Sequence, residues 1–120
     1  MYTVETATPK DADWHYYFNV TIRLNENLSG YISEAFNYAA TMLDYTQERN
    51  LNATTKGILY LDYFYAREMI ELLEYAVDYL GCAFDPDPNA MSRGNAGHAL
   101  NTLLWAAQTQ PNAIFKVTKV

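Results

Sequence analysis

A chain of 120 residues, half of them hydrophobic, can bury a core without disulfide or metal staples and is no disordered tail. Fourteen acidic against eight basic residues give a net charge of −6, and the basic side chains are scattered. Such a surface repels phosphate backbones and anionic lipid, which argues against direct nucleic-acid or membrane binding.

A negative surface steers instead toward a basic partner, and many such partners handle nucleic acid themselves. The lone Cys82 cannot form an internal disulfide, and the opening residues lack a basic start followed by an apolar run. Both features suggest a cytoplasmic protein, in which the Asn-x-Ser/Thr triplets at Asn19, Asn27 and Asn52 arise by chance. Charges interrupt every long apolar segment, so no membrane span is expected. Eleven tyrosines are an unusual count, and tyrosine is enriched at interfaces.

In chain order, residues 2–6 alternate as a short strand, followed by a polar turn around Pro9 and Lys10. Residues 14–24 form the clearest strand, with Trp14, Tyr16, Phe18, Val20, Ile22 and Leu24 on one face. Ser29 is a suitable N-cap for a first helix over 30–49, whose apolar half holds Ile32, Ala35, Phe36, Ala39, Met42 and Leu43. Tyr31, Tyr38 and Tyr45 recur every seven residues along its margin, as a core edge with wet hydroxyls or as a ladder facing a partner.

After a polar connection at 50–54, the periodicity predicts one long helix over 55–80. Ile58, Leu61, Met69, Leu72, Leu73, Ala76 and Leu80 share its apolar half. A rival division makes 57–61 a strand and Asp62 the cap of a shorter helix. Gly81 stops the helix. A loop rich in Pro, Asp and Gly precedes a third helix over 96–108 with Leu100, Leu103 and Leu104 inward. Trp105 falls on its polar side, where it either packs beneath a neighbouring element or lies open. A last strand spans 113–119, and its lysines suit an open sheet edge. The whole reads as one α+β domain over 1–120. A small antiparallel sheet of about three strands from the two chain ends packs against a helical middle with two long antiparallel helices and one shorter helix.

No catalytic motif is present, so the chain is not expected to be an enzyme. Asp85, Asp87 and Asn89 match the opening spacing of a calcium loop, but Ala90 and Ala96 stand where the EF-hand needs Gly and Glu. His15, His98 and Cys82 lack the paired spacing of a zinc site. Cys82, beyond a helix end among apolar neighbours, is not an activated thiol. No cofactor or metal is therefore implied. Arg93, Gly94, Asn95 and His98 sit in a glycine-containing run entering a helix, which could offer backbone N–H groups to an anion such as phosphate or a nucleotide.

The most distinctive pattern is the polar half of the 55–80 segment. It carries Glu68, Glu71, Glu74 and Asp78 together with Tyr60, Phe64 and Tyr75, large rings that a purely solvated face does not need. Acidic groups around aromatic anchors fit a non-enzymatic module that binds a larger, basic, nucleic-acid-handling protein and inhibits it by occlusion. Phage or plasmid counter-defence proteins and toxin-immunity proteins act in this way. The same rings could instead be covered within the monomer, or by a second copy in a homodimer or a self-assembling particle subunit.

Overall fold

The computed structural model of the chain describes residues 1–9, 16–81, 83, 87 and 90–120. Strand β1 (Tyr2–Pro9) lies at the centre of a three-stranded antiparallel sheet, flanked by β2 (Tyr16–Leu24) and β3 (Ile114–Lys119). The predicted strands are thus all present, and the α+β class holds. Period-2 alternation decides which face is covered. Val4 lies opposite Ile22 on one side and Val117 on the other, and Thr6 opposite Phe115. Val4, Leu24, Phe115 and Val117 are buried, whereas Thr21, Arg23 and Thr118 are exposed. The register shifts between Thr6 and Ala7. Thr6 is fully buried, and its hydroxyl is satisfied by accepting from the Val20 N–H at 3.2 Å.

The helical middle is divided more finely than periodicity predicts. Helix α1 (Ser29–Met42) follows a single 3-10 turn over Glu26–Leu28. Asn25, not Ser29, makes the side-chain cap, accepting from the Asn27 N–H. The chain then turns at Leu43 and Asp44, where Asp44 takes φ 57°. Thr46 caps a separate helix α2 (Gln47–Lys56) by accepting from the Arg49 N–H. The expected first helix over 30–49 is therefore two helices, and the expected polar connection at 50–54 lies inside the second.

The long helix over 55–80 is likewise corrected. Gly57, at φ 55°, ends α2; a 3-10 turn over Gly57–Leu61 follows, and helix α3 runs only over Ala66–Leu80. Neither Thr55 nor Asp62 begins the helix. Residues 62–66 instead lie along the outer edge of β3. The Tyr63 N–H donates to the Phe115 carbonyl at 2.8 Å, and the Phe115 N–H donates to the Phe64 carbonyl at 2.9 Å. Ala66 N–H donates to Ala113, and the Asp62 carboxylate accepts from the Val117 N–H at 2.8 Å. That edge is thus occupied by the chain itself, where the sequence suggests lysines guarding an open one.

Helix α3 packs between α1 and α4 (Arg93–Thr109). Its inward residues Met69, Leu72, Leu73, Ala76 and Leu80 join Phe36, Leu100, Leu103 and the inner sheet face in one core cluster. The start of α4 lies directly on the chain that leaves α3. A Cβ on Gly97 would sit 1.7 Å from the Gly81 carbonyl oxygen, and one on Gly94 would sit 1.7 Å from that of Ala83. Ser92 caps α4 by accepting from the Asn95 N–H. Cys82, most of the 84–89 loop including Asp85 and Asn89, and Trp14 and His15 lie outside the described residues.

Candidate functional site

Helix α3 is amphipathic, and with its inner face sealed between α1 and α4 its outer face is left to solvent. Glu68, Glu71, Glu74 and Asp78 stand exposed on that face at helical spacings of three and four. Among the described residues, none of the four enters an ion pair; the ion pairs found are Met1 with Glu26, Arg93 with Glu34 and Lys119 with Glu26. The acidic half of the predicted face is therefore assembled as a row.

The aromatic half is not. Tyr60 belongs to the 3-10 turn and is buried, which resolves it as a ring covered within the monomer. Phe64, in the connector, is half-buried and tilts against Tyr60 with ring centres 5.1 Å apart. Tyr75 alone of the three lies on α3, half-buried beside the acidic row. It lines a hollow of about 420 Å³ with Leu43, Glu71, Glu74 and Asp78.

Two side chains outside the predicted set complete the neighbourhood. Trp105 on α4 is 60 % exposed. Helices α3 and α4 run antiparallel, with Arg67 N–H bonded to the Pro111 carbonyl at one end and Gly81 against Gly97 at the other. The Gln108 amide reaches Glu74 at 3.5 Å, and Trp105 stands one turn before Gln108, on the side of α4 that faces the acidic row. The other side chain is Arg49 on α2. Its guanidinium lies 3.8 Å from the centre of the Tyr45 ring, and its Nε donates to the Tyr60 hydroxyl at 2.8 Å. Nothing in the sequence marks Arg49, which reaches these rings only through the packing of α2.

These contacts shift the groups involved. Burial raises the Tyr45 phenol above its ordinary value; the Arg49 charge opposes this, while Tyr60 and Glu71 add to it. Burial acts to lower Arg49, but the Tyr60 hydrogen bond and the charges of Tyr45, Tyr60 and Glu68 outweigh it and leave the guanidinium raised. Arg49 joins two further hollows. One of about 570 Å³ includes Lys56, Tyr60, Tyr63 and Phe64, and one of about 370 Å³ includes Tyr45, Glu68 and Glu71. With the hollow beside Tyr75, lined by Leu43 and by α3 residues, they follow one another as a trough, since adjacent hollows share Arg49, Leu43 and Glu71.

The other predicted group is spread over different tasks. Arg93 donates to the Tyr79 carbonyl at 2.7 Å, lies 4.6 Å from the centre of the Tyr79 ring and pairs with Glu34 at 3.8 Å. Gly94 is pressed against Ala83, and the Asn95 side chain donates to the carbonyls of Ala90 and Asp87. Asn95 and exposed His98 line a hollow of about 430 Å³ with Met1 and Arg23, which Arg93 and Gly94 do not enter. Of the tyrosines spaced by seven, Tyr31 and Tyr38 lie on α1 and Tyr45 beyond its end, all half-buried, and Tyr38 stacks on Tyr79 at 4.9 Å.

Among the described residues, no group of three or more His, Cys, Asp or Glu could hold a metal ion, and no helix is long and apolar enough to cross a membrane. The chain matches no family model, no curated protein and no solved structure.

Proposed function

We propose that this chain is a non-enzymatic, acidic protein-binding module. It occludes a basic surface of a larger nucleic-acid-handling protein, in the manner of counter-defence or immunity proteins in the cytoplasm. The observation that carries the reading is the row of Glu68, Glu71, Glu74 and Asp78, without an ion pair among the described residues, and the open Trp105 on the neighbouring helix. Carboxylates that no described cation neutralises keep their charge available for steering a basic partner. An exposed indole supplies the large, rigid contact area typical of a binding hot spot. Tyr75 and Leu43 extend the apolar patch toward the end of α1, whereas Tyr60 serves the interior and is not part of the contact.

The test is parallel affinity capture from an extract of the source cells with three baits: the parent chain, Trp105→Ala and the double variant Glu71→Lys/Glu74→Lys. A partner retained by the parent, lost by both variants and displaced by added nucleic acid supports occlusion. Equal retention by all three baits removes this face from the function. Both substitutions are on exposed positions, so circular dichroism of each variant should match the parent.

A further inference from the structure

We propose that Arg49 is the anchor of a second binding site, one that takes a carboxylate carried on an apolar or aromatic body. Glu68 and Glu71 of the acidic row line one hollow at Arg49, but the cation and its contacts do not rest on the protein-binding reading. Arg49 is held on two sides. Its face lies 3.8 Å from the Tyr45 ring centre, and its Nε donates to the Tyr60 hydroxyl, itself part of a buried ring. These contacts use the face and the inner edge of the guanidinium and leave its two terminal amino groups without a partner among the described residues.

That vacancy is unexpected in this chain. Fourteen residues are acidic, and Glu48, Glu68 and Glu71 line the hollows that meet at Arg49. Yet no carboxylate among the described residues comes within ion-pair reach of it. A guanidinium fixed in orientation has already lost much of its rotamer freedom, which lowers the entropic cost of accepting a ligand. The two free amino groups form a planar fork whose complement is a planar carboxylate bound through both oxygens.

Charge and shape narrow the ligand further. The surrounding carboxylates, Asp62 among them, repel a dianionic phosphate about twice as strongly as a monoanion. Lys56 shares the larger hollow and adds one more positive charge. The walls beside Arg49 include rings: Tyr60 and Phe64 in contact with each other, and Tyr63, which is 73 % exposed. A volume of about 570 Å³ admits a body the size of a phenylalanine residue with room to spare. The chemistry is shared by a small free acid and by the C-terminus of a peptide ending in an apolar residue.

Titration of the whole chain followed by amide NMR decides the matter, with N-acetylphenylalanine, its primary amide, a tripeptide ending in phenylalanine and inorganic phosphate as probes. The acid is expected to shift the resonances of Tyr45, Arg49 and Tyr60. The amide should bind about tenfold or more weakly, because it offers the fork one oxygen and no charge. Arg49→Lys should weaken the acid by a similar factor, since an ammonium cannot form the paired contact. Tighter binding of the tripeptide identifies a chain terminus as the source, and equal binding a free acid; either ranking supports the site. Equal affinity for acid and amide, an unaffected Arg49→Lys variant, phosphate binding tighter than the acid, or no shifts up to millimolar concentrations would each overturn it. If Arg49→Lys does not fold, the acid and amide comparison on the parent chain still decides.

Discussion

Replacing Gly97 by Ala tests the placement of α4, and with it the position of Trp105 beside the acidic row. In an exposed helix this change is favourable, by about 1 kcal/mol of helix propensity. Here the new methyl group would lie 1.7 Å from the Gly81 carbonyl oxygen, 2.9 Å from its carbon and 3.2 Å from the Leu80 Cβ. The obstacle is backbone, so no side chain can rotate away, and α4 must retreat by roughly 1 Å or more to restore ordinary contact. Forced overpacking costs about 1–3 kcal/mol, and a backbone clash belongs at the upper end. After the propensity gain, a net loss of about 2 kcal/mol remains, or roughly 5–10 °C in Tm for a chain of this size.

Gly30→Ala supplies the control. It lies in the first turn of α1 with nothing within 4 Å of the added carbon, so it should hold or raise Tm. Thermal unfolding by circular dichroism, with urea titration to confirm an unchanged slope, measures both variants. If Gly97→Ala is neutral or stabilising, α4 does not rest on Gly81, and the adjacency of Trp105 and Glu74 loses its basis.

Three further outcomes are expected. Asp62→Ala removes the acceptor of the Val117 N–H at the covered edge of β3 and should cost about 1–3 kcal/mol in urea unfolding, whereas an exposed Glu48→Ala should cost little. The Tyr45 phenol is raised by burial, so its neutral form is favoured in the folded state. The unfolded chain therefore ionises first, and the contribution of Tyr45 to stability is complete below the unfolded value near 10 and falls as pH rises through the folded one. In a tyrosinate absorbance titration, Tyr45→Phe should remove a component that ionises above the ordinary tyrosine value and flatten the alkaline loss of stability. Finally, in a Trp14→Phe background the fluorescence of Trp105 should be red-shifted and readily quenched by acrylamide; a blue-shifted, protected indole at high protein concentration would show that copies of the chain cover it.

The sheet was legible because its strands alternate. Val20, Ile22 and Leu24, then Phe115 and Val117, announce a half-covered surface, and the structure pairs both strands with β1. The break between α2 and α3 was not legible. Residues 57–65, GILYLDYFY, are apolar nearly all round, so a 3-10 turn and an extended connector leave the same periodic trace as a helix. Tyr63 adopts φ 67° although it is neither Gly nor Asn; its conformation accompanies backbone bonds to Phe115, which lies 52 positions later in the sequence. That is a tertiary cause, and local propensity cannot report it.

The candidate site divides along the same line. Glu68, Glu71, Glu74 and Asp78 share a face because they lie within one true helix, so helical spacing finds them. Tyr60 and Phe64 were assigned to that face by a helix that does not reach them. Arg49 and Trp105 come to the site from α2 and α4 through packing, and only the fold shows their positions. The glycines before His98 illustrate a different ambiguity: Gly94 and Gly97 look like an anion-binding loop in sequence but stand inside a helix pressed against backbone.

The most direct test of the central claim is a quantitative comparison of partner retention by the parent chain and by Glu71→Lys/Glu74→Lys, repeated over a range of salt concentrations. One dominant basic protein is expected, bound more weakly as salt rises, lost on charge reversal and competed away by nucleic acid. Retention unchanged by charge reversal, or a chain that binds only copies of itself with Trp105 protected, would contradict it.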